Sequence, residues 1–243
     1  MAKHKKSQQI NFIFRKHRIH VIIDKVLFFR VIRRLHGRFW GLAGICLMII
    51  GFTICFLIRP DLLRISTALS DFGNDTRTAS FFAVSVFLGA FGLWRWRNYL
   101  AHTWKRTIPV TGLITITVLG LYMTALMPIS WKPWPYRIHV IALAVAGISM
   151  VATVVLDGLL SKTRRSSNAD AWRLLRFSSI CLIVIGGWLT LGSSDLLGLY
   201  QVSLIGEAMM LAGYGLWIGV KTYQGEGNRS ALSKLLKNIV LIN

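Results

Sequence analysis

The stretch "LSDFGND", Leu69–Asp75, places two of the chain's nine carboxylates within five residues, between two long apolar runs. Two further groups able to do chemistry lie in similar settings: His139 in "YRIHV" and Glu207 in "LIGEAM". A carboxylate and an imidazole can pass protons to and from a bound substrate, and their oxygens and nitrogens can ligate a metal ion. Asp71, His139 and Glu207 are therefore the candidate catalytic or ligating groups. Ser70, Gly73 and Asp195 are candidate binding residues beside them; Ser194-Asp195 stands ahead of "YGLW" much as Ser70-Asp71 stands ahead of "FGLW". Plainer roles compete with these. Asp75 or Thr76 can cap the following helix, Ser70 or Asp71 can organise the turn around Gly73, and His139 can simply hydrogen-bond at an interface.

The elements that must position these groups are apolar. Of the 243 residues 54% are hydrophobic and only 16% charged, against about a quarter charged in a soluble domain. Six stretches are long enough to cross a hydrocarbon layer of about 30 Å: Phe39–Ile58, Ala79–Trp96, Ile108–Met127, Ile138–Leu160, Leu175–Leu191 and Gln201–Val220. Unbroken runs of this length satisfy their backbone in lipid only as helices. The expected fold is an all-α, six-transmembrane-helix bundle over 39–220, with basic tails at 1–38 and 221–243.

The formal charge of +20 is distributed by connection. The two tails and the turns 95–107 and 161–176 carry 24 Lys and Arg, and the alternate connections 59–78, 128–137 and 192–200 carry 5. This alternation is the positive-inside pattern, so both termini are expected in the cytoplasm and the protein in a bacterial inner membrane. A nucleic-acid binder would gather its cations on one surface, so no nucleic-acid partner is expected. Within the first tail, Ile19–Leu35 sets Ile19, Ile22, Ile23, Val26, Phe29 and Leu35 roughly on one helical face, with Lys25, Arg30, Arg33 and Arg34 elsewhere. That pattern predicts a basic amphipathic helix lying in the interface against anionic lipids.

The topology sorts the candidates by depth. Asp71 and Asp195 fall in outer connections, His139 opens the fourth span, and Glu207 lies six residues into the sixth, about 9 Å along a helix. All three principal groups thus sit in the outer half, where neighbouring helices would join them in one polar pocket. Asp157, at the inner end of the fourth span, can reach headgroup water and Lys162, Arg164 and Arg165. Cys46, Cys55 and Cys181 read as small apolar residues. Trp40, Trp94, Trp96, Trp104, Trp131, Trp134 and Trp172 read as an interfacial aromatic belt. Gly215 and Gly219 form a GxxxG spacing that serves close packing or a homo-oligomer face. No G-x-S-x-G, H-E-x-x-H or P-loop is present.

"RPDLLRISTALSDFGND" (Arg59–Asp75), the histidine in "RIH" and Gly206-Glu207 together resemble motifs of the bacterial six-helix membrane family filed as domain of unknown function 998. They are also similar to the I-S-D-x-G stretch of Frag/DRAM/Sfk-type membrane proteins. The resemblance implies a six-helix fold and groups Ser70, Asp71, His139 and Glu207. Through the Frag/DRAM/Sfk-type relatives it points to lipid chemistry. An arginine often follows the family's glutamate, and Ala208 stands there in this chain. The resulting expectation is an outward-facing polar pocket for a lipid or other amphiphile, with modification of that lipid as a role open to it. A proton-coupled carrier using Glu207, or a non-catalytic scaffold packing through Gly215 and Gly219, are the alternatives. The carrier is disfavoured because no span shows polar groups at its centre.

Overall fold

The computed structural model describes residues 37–103, 108–127, 134–160, 169–193, 198–199 and 201–224. The amphipathic stretch 19–35 and the tail beyond 224 lie outside the described residues, as do Ser194 and Asp195. The described residues contain no strand. Six helices are long and apolar enough to cross a membrane, as a multi-pass membrane protein requires. They are α1 (Gly37–Ile58), α2 (Ala79–Thr103), α3 (Ile108–Leu126), α4 (Trp134–Leu160), α5 (Ala169–Gly192) and α6 (Ser203–Gln224).

Proline punctuates three of them. Pro60 has no N–H to continue α1, and it forces Arg59 out of the helical region, to φ −131° and ψ 69°. Pro109 and Pro135 are each the second residue of their helix, where a missing N–H costs nothing. Several helices outrun their apolar cores. α2 continues past Trp96 to Thr103, and α5 starts at Ala169 instead of Leu175. Backbone bonding and helix propensity do not stop at the hydrocarbon boundary, so hydropathy alone under-reads the ends.

Consecutive helices pack side by side, and α6 returns to α1 and α4. Small residues set the closest approaches. A Cβ on Gly44 would lie 2.9 Å from the Gly89 carbonyl oxygen, one on Gly120 2.7 Å from that of Ala142, and one on Gly186 2.7 Å from that of Gly206. Between apolar helices in lipid, such contact replaces the hydrophobic drive as the source of association. Gly215 and Gly219 face α1 of the same chain, against Ile45 and Leu42.

The interior is more polar than the sequence reading anticipated. On α4, His139, Ala146, Ser149, Thr153 and Asp157 recur at helical spacing, and all five are buried. Thr117 and Ser149 join α3 to α4 at 2.8 Å, Thr153 donates to the Ser149 carbonyl at 2.6 Å, and Ser179 donates to the Gly213 carbonyl at 2.8 Å. These hydroxyls tie backbones together. Between Thr117 and the His139 end, α3 and α4 approach closely at Gly120 and Ala142. Trp96 also departs from the belt reading: it is fully buried, edge-on to Trp217 of α6 at 5.3 Å, and Tyr214 also packs on Trp217 at 5.2 Å.

Candidate functional site

The end of the bundle where α1 stops is covered by the connection 59–78, and acids hold that connection in shape. Arg59 grips both oxygens of Asp61, at 2.8 and 2.6 Å, and also pairs with Asp75. The guanidinium holds the Asp61 carboxyl down to about 2, but this side chain is exposed and the pair adds little stability. Asp75 starts α2: its side chain accepts from the Arg77 N–H at 2.8 Å and its carbonyl from the Ala79 N–H at 2.8 Å.

The Ser70-Asp71-x-Gly73 motif is a 3-10 turn, Leu69–Gly73. Asp71 reaches back to the Ala68 N–H at 2.8 Å, the acidic half of a capping box. Phe72 is fully buried, edge-on to Phe56 of α1 at 5.0 Å, and its carbonyl accepts from the Thr78 hydroxyl at 2.6 Å. Gly73 packs under Phe82, whose ring would lie 3.0 Å from any added Cβ. Ser70 is half-buried in the same turn.

Glu207 fastens this turn to α6. Its Oε2 accepts from the Leu69 N–H at 2.5 Å, and one turn earlier the Leu204 N–H donates to the Ile65 carbonyl at 3.2 Å. Two carboxylates from different elements therefore hold two successive backbone N–H groups, of Ala68 and Leu69. Each satisfies a donor that the short turn leaves orphaned.

His139 meets the other end of the turn. Its Nδ1 bonds the Met127 carbonyl at 2.8 Å, closing the end of α3. A carbonyl only accepts, so Nδ1 carries the proton. Nε2 is buried and has no hydrogen-bond partner among the described residues. The ring lines a recess of about 80 Å³ with Gly73, Ala79, Phe82, Ala83, Thr124, Ala125 and Met127. That is several times the roughly 10–15 Å³ needed by one water. Gly73 belongs both to the recess and to the turn that Asp71 and Glu207 hold, whereas neither of those acids lines the recess. Among the described residues, no group of three or more His, Cys, Asp or Glu side chains is placed to hold a metal ion.

A second polar centre escaped the sequence reading. Asp157 is buried rather than turned to headgroup water. Its Oδ1 pairs with the Lys221 ammonium at 2.6 Å and its Oδ2 accepts from the Trp217 indole at 3.0 Å, with the half-buried Arg176 in its field. Lys162, Arg164 and Arg165 lie outside the described residues. The signal was the i, i+4 spacing of Trp217 and Lys221, which sets an indole N–H and a cation on one face of α6.

No family model, curated protein or solved structure matches the chain.

Proposed function

We propose that this multi-pass membrane protein holds the polar end of a lipid or other membrane amphiphile in the recess between α2, α3 and α4. The observation that carries the reading is His139, 2% exposed, whose Nε2 has no partner in a ring that lines that recess. A buried polar atom without a protein partner is uncommon in folded proteins, and a water or a ligand group is what ordinarily satisfies it. The apolar members of the lining supply the surface against which an acyl chain lies.

In this reading Asp71 and Glu207 are positioning residues. They fix the turn whose Gly73 forms one wall, and no proton transfer is assigned to them. The distribution of basic residues supports a recess open to the outer side of a bacterial inner membrane, with both termini in the cytoplasm. The resemblance in "LSDFGND", "RIH" and Gly206-Glu207 supports a lipid-related role by analogy alone.

The test compares lipids retained by wild type and by Ala125→Phe after gentle detergent release, read by native mass spectrometry. Ala125 is a half-buried member of the lining, so a ring there occupies the recess. Loss of a bound species from a folded variant is the expected result. Identical adduct patterns in the two proteins would remove the recess as the binding site.

A further inference from the structure

We infer that the group received in the recess is a neutral hydroxyl donor on an apolar chain, such as the hydroxyl of a long-chain alcohol or diacylglycerol, and that anionic headgroups are turned away. This rests on the reading of the recess as an amphiphile site and adds the chemistry of its occupant.

The polar atoms available there are acceptors. Nδ1 of His139 has given its proton to the Met127 carbonyl, which leaves Nε2 with a lone pair. The Thr124 hydroxyl has given its proton to the Gly120 carbonyl at 2.9 Å, which leaves its oxygen lone pairs. A ligand group that satisfies either atom must donate. Phosphates and carboxylates have no proton to give and would face lone pairs in apolar surroundings. Among the described residues, no Lys or Arg lines the recess to offset such a charge. An ammonium could donate, but no carboxylate lines the recess either, and a buried cation without one carries a large desolvation cost. A neutral hydroxyl meets the requirement, because it donates without bringing charge.

Size and shape fit the same class. A volume of about 80 Å³ has room for a hydroxyl and the carbons next to it. Ala79, Phe82, Ala83 and Ala125 offer the following methylenes an apolar surface. Nε2 has no accessible surface in this conformation. A donor therefore reaches it only when a lining side chain moves aside, and Met127 is an unbranched, partly exposed member of the lining.

The experiment uses the full chain in phosphatidylcholine nanodiscs with ¹⁵N-labelled histidine, and three probes of matched length: hexadecan-1-ol, hexadecyl methyl ether and palmitate. The His139 resonances are assigned by their loss in His139→Phe. Because that variant also loses the Met127 bond, Ala125→Phe serves as a second control, filling the recess and leaving both ring nitrogens in place. The alcohol is expected to move the Nε2 resonance saturably and to bind about tenfold tighter than the ether, the worth of one satisfied buried acceptor. Ala125→Phe should abolish that shift. Equal binding of alcohol and ether with Nε2 unmoved would overturn the hydroxyl inference and leave the recess as an amphiphile site. Palmitate binding tighter than the alcohol, or Nε2 held by water and indifferent to all three probes, would overturn it as well. Failure of every probe to bind would sink the recess reading itself.

Discussion

Removing one partner of the Asp157–Lys221 pair should cost far more than removing both. The pair is nearly sealed, with side-chain exposures of 10% and 5%, and its two heavy atoms lie 2.6 Å apart. Breaking a buried pair from one side costs about 3–5 kcal/mol, because the remaining charge has neither partner nor water. The surroundings rank the two single variants. In Lys221→Met, Asp157 keeps the Trp217 N–H at 3.0 Å and the field of Arg176, which places the loss near 3 kcal/mol, the lower limit of that range. In Asp157→Asn, a buried ammonium is left beside the like charge of Arg176, and the loss moves towards about 5 kcal/mol. Asp157→Leu with Lys221→Met leaves no buried charge from the pair and takes the acceptor from the Trp217 indole N–H. That costs about 1–3 kcal/mol, so the double variant should be more stable than Asp157→Asn. Equilibrium unfolding in mixed micelles, followed by tryptophan fluorescence, reads all three. A double variant less stable than Asp157→Asn would refute the reasoning. So would single losses under about 1 kcal/mol.

Three other outcomes follow from the geometry. Glu207→Gln keeps an oxygen for the Leu69 N–H and should change little, whereas Glu207→Leu orphans that donor, costs about 1–3 kcal/mol and should speed hydrogen exchange at Leu69. Gly120→Val should destabilise by about 1–3 kcal/mol through overpacking, because its Cβ would sit 2.7 Å from the Ala142 carbonyl; Gly112→Ala, with nothing within 4 Å, should be neutral in the same thermal unfolding assay. A cysteine at the exposed Ser66 should react with a membrane-impermeant maleimide in intact cells, and silence there with labelling only after lysis would invert the proposed orientation.

The six helices could be read from the chain because lipid imposes a local condition. Each run needs enough apolar residues and internal backbone bonding, and both are written in consecutive positions. Pro60, Pro109 and Pro135 mark starts and stops for equally local reasons. What joins helices is not local. Nothing in the apolar letters around Gly44, Gly120 or Gly186 says which helix each will meet. The same blindness made Trp96 look like a belt residue, since a tryptophan near a span end reads alike whether it faces headgroups or Trp217. Asp157 was assigned to nearby cations in the sequence, and its partner Lys221 came from another helix. For the candidate groups, the turn-forming role of Asp71 was legible in Ser70-Asp71-x-Gly73. The bond from Glu207 to Leu69 was not, because it spans 138 positions.

The turn Leu69–Gly73 explains why acid is concentrated at this end of an otherwise basic chain. A 3-10 turn of five residues cannot satisfy its own first donors, and in a connection lying on apolar helix ends water reaches them poorly. Carboxylates are the strongest acceptors available for backbone N–H groups. Asp71 serves one donor from within the turn and Glu207 the next from α6, while Arg59 offsets Asp61 and Asp75 nearby. The consequence reaches the recess. Gly73 ends the turn and forms a wall beside Phe82, so its position follows from bonds made at residues 68 and 69. Asp71 and Glu207, which are not among its lining residues, thereby bear on the wall at Gly73, and the His139 ring lines the same recess.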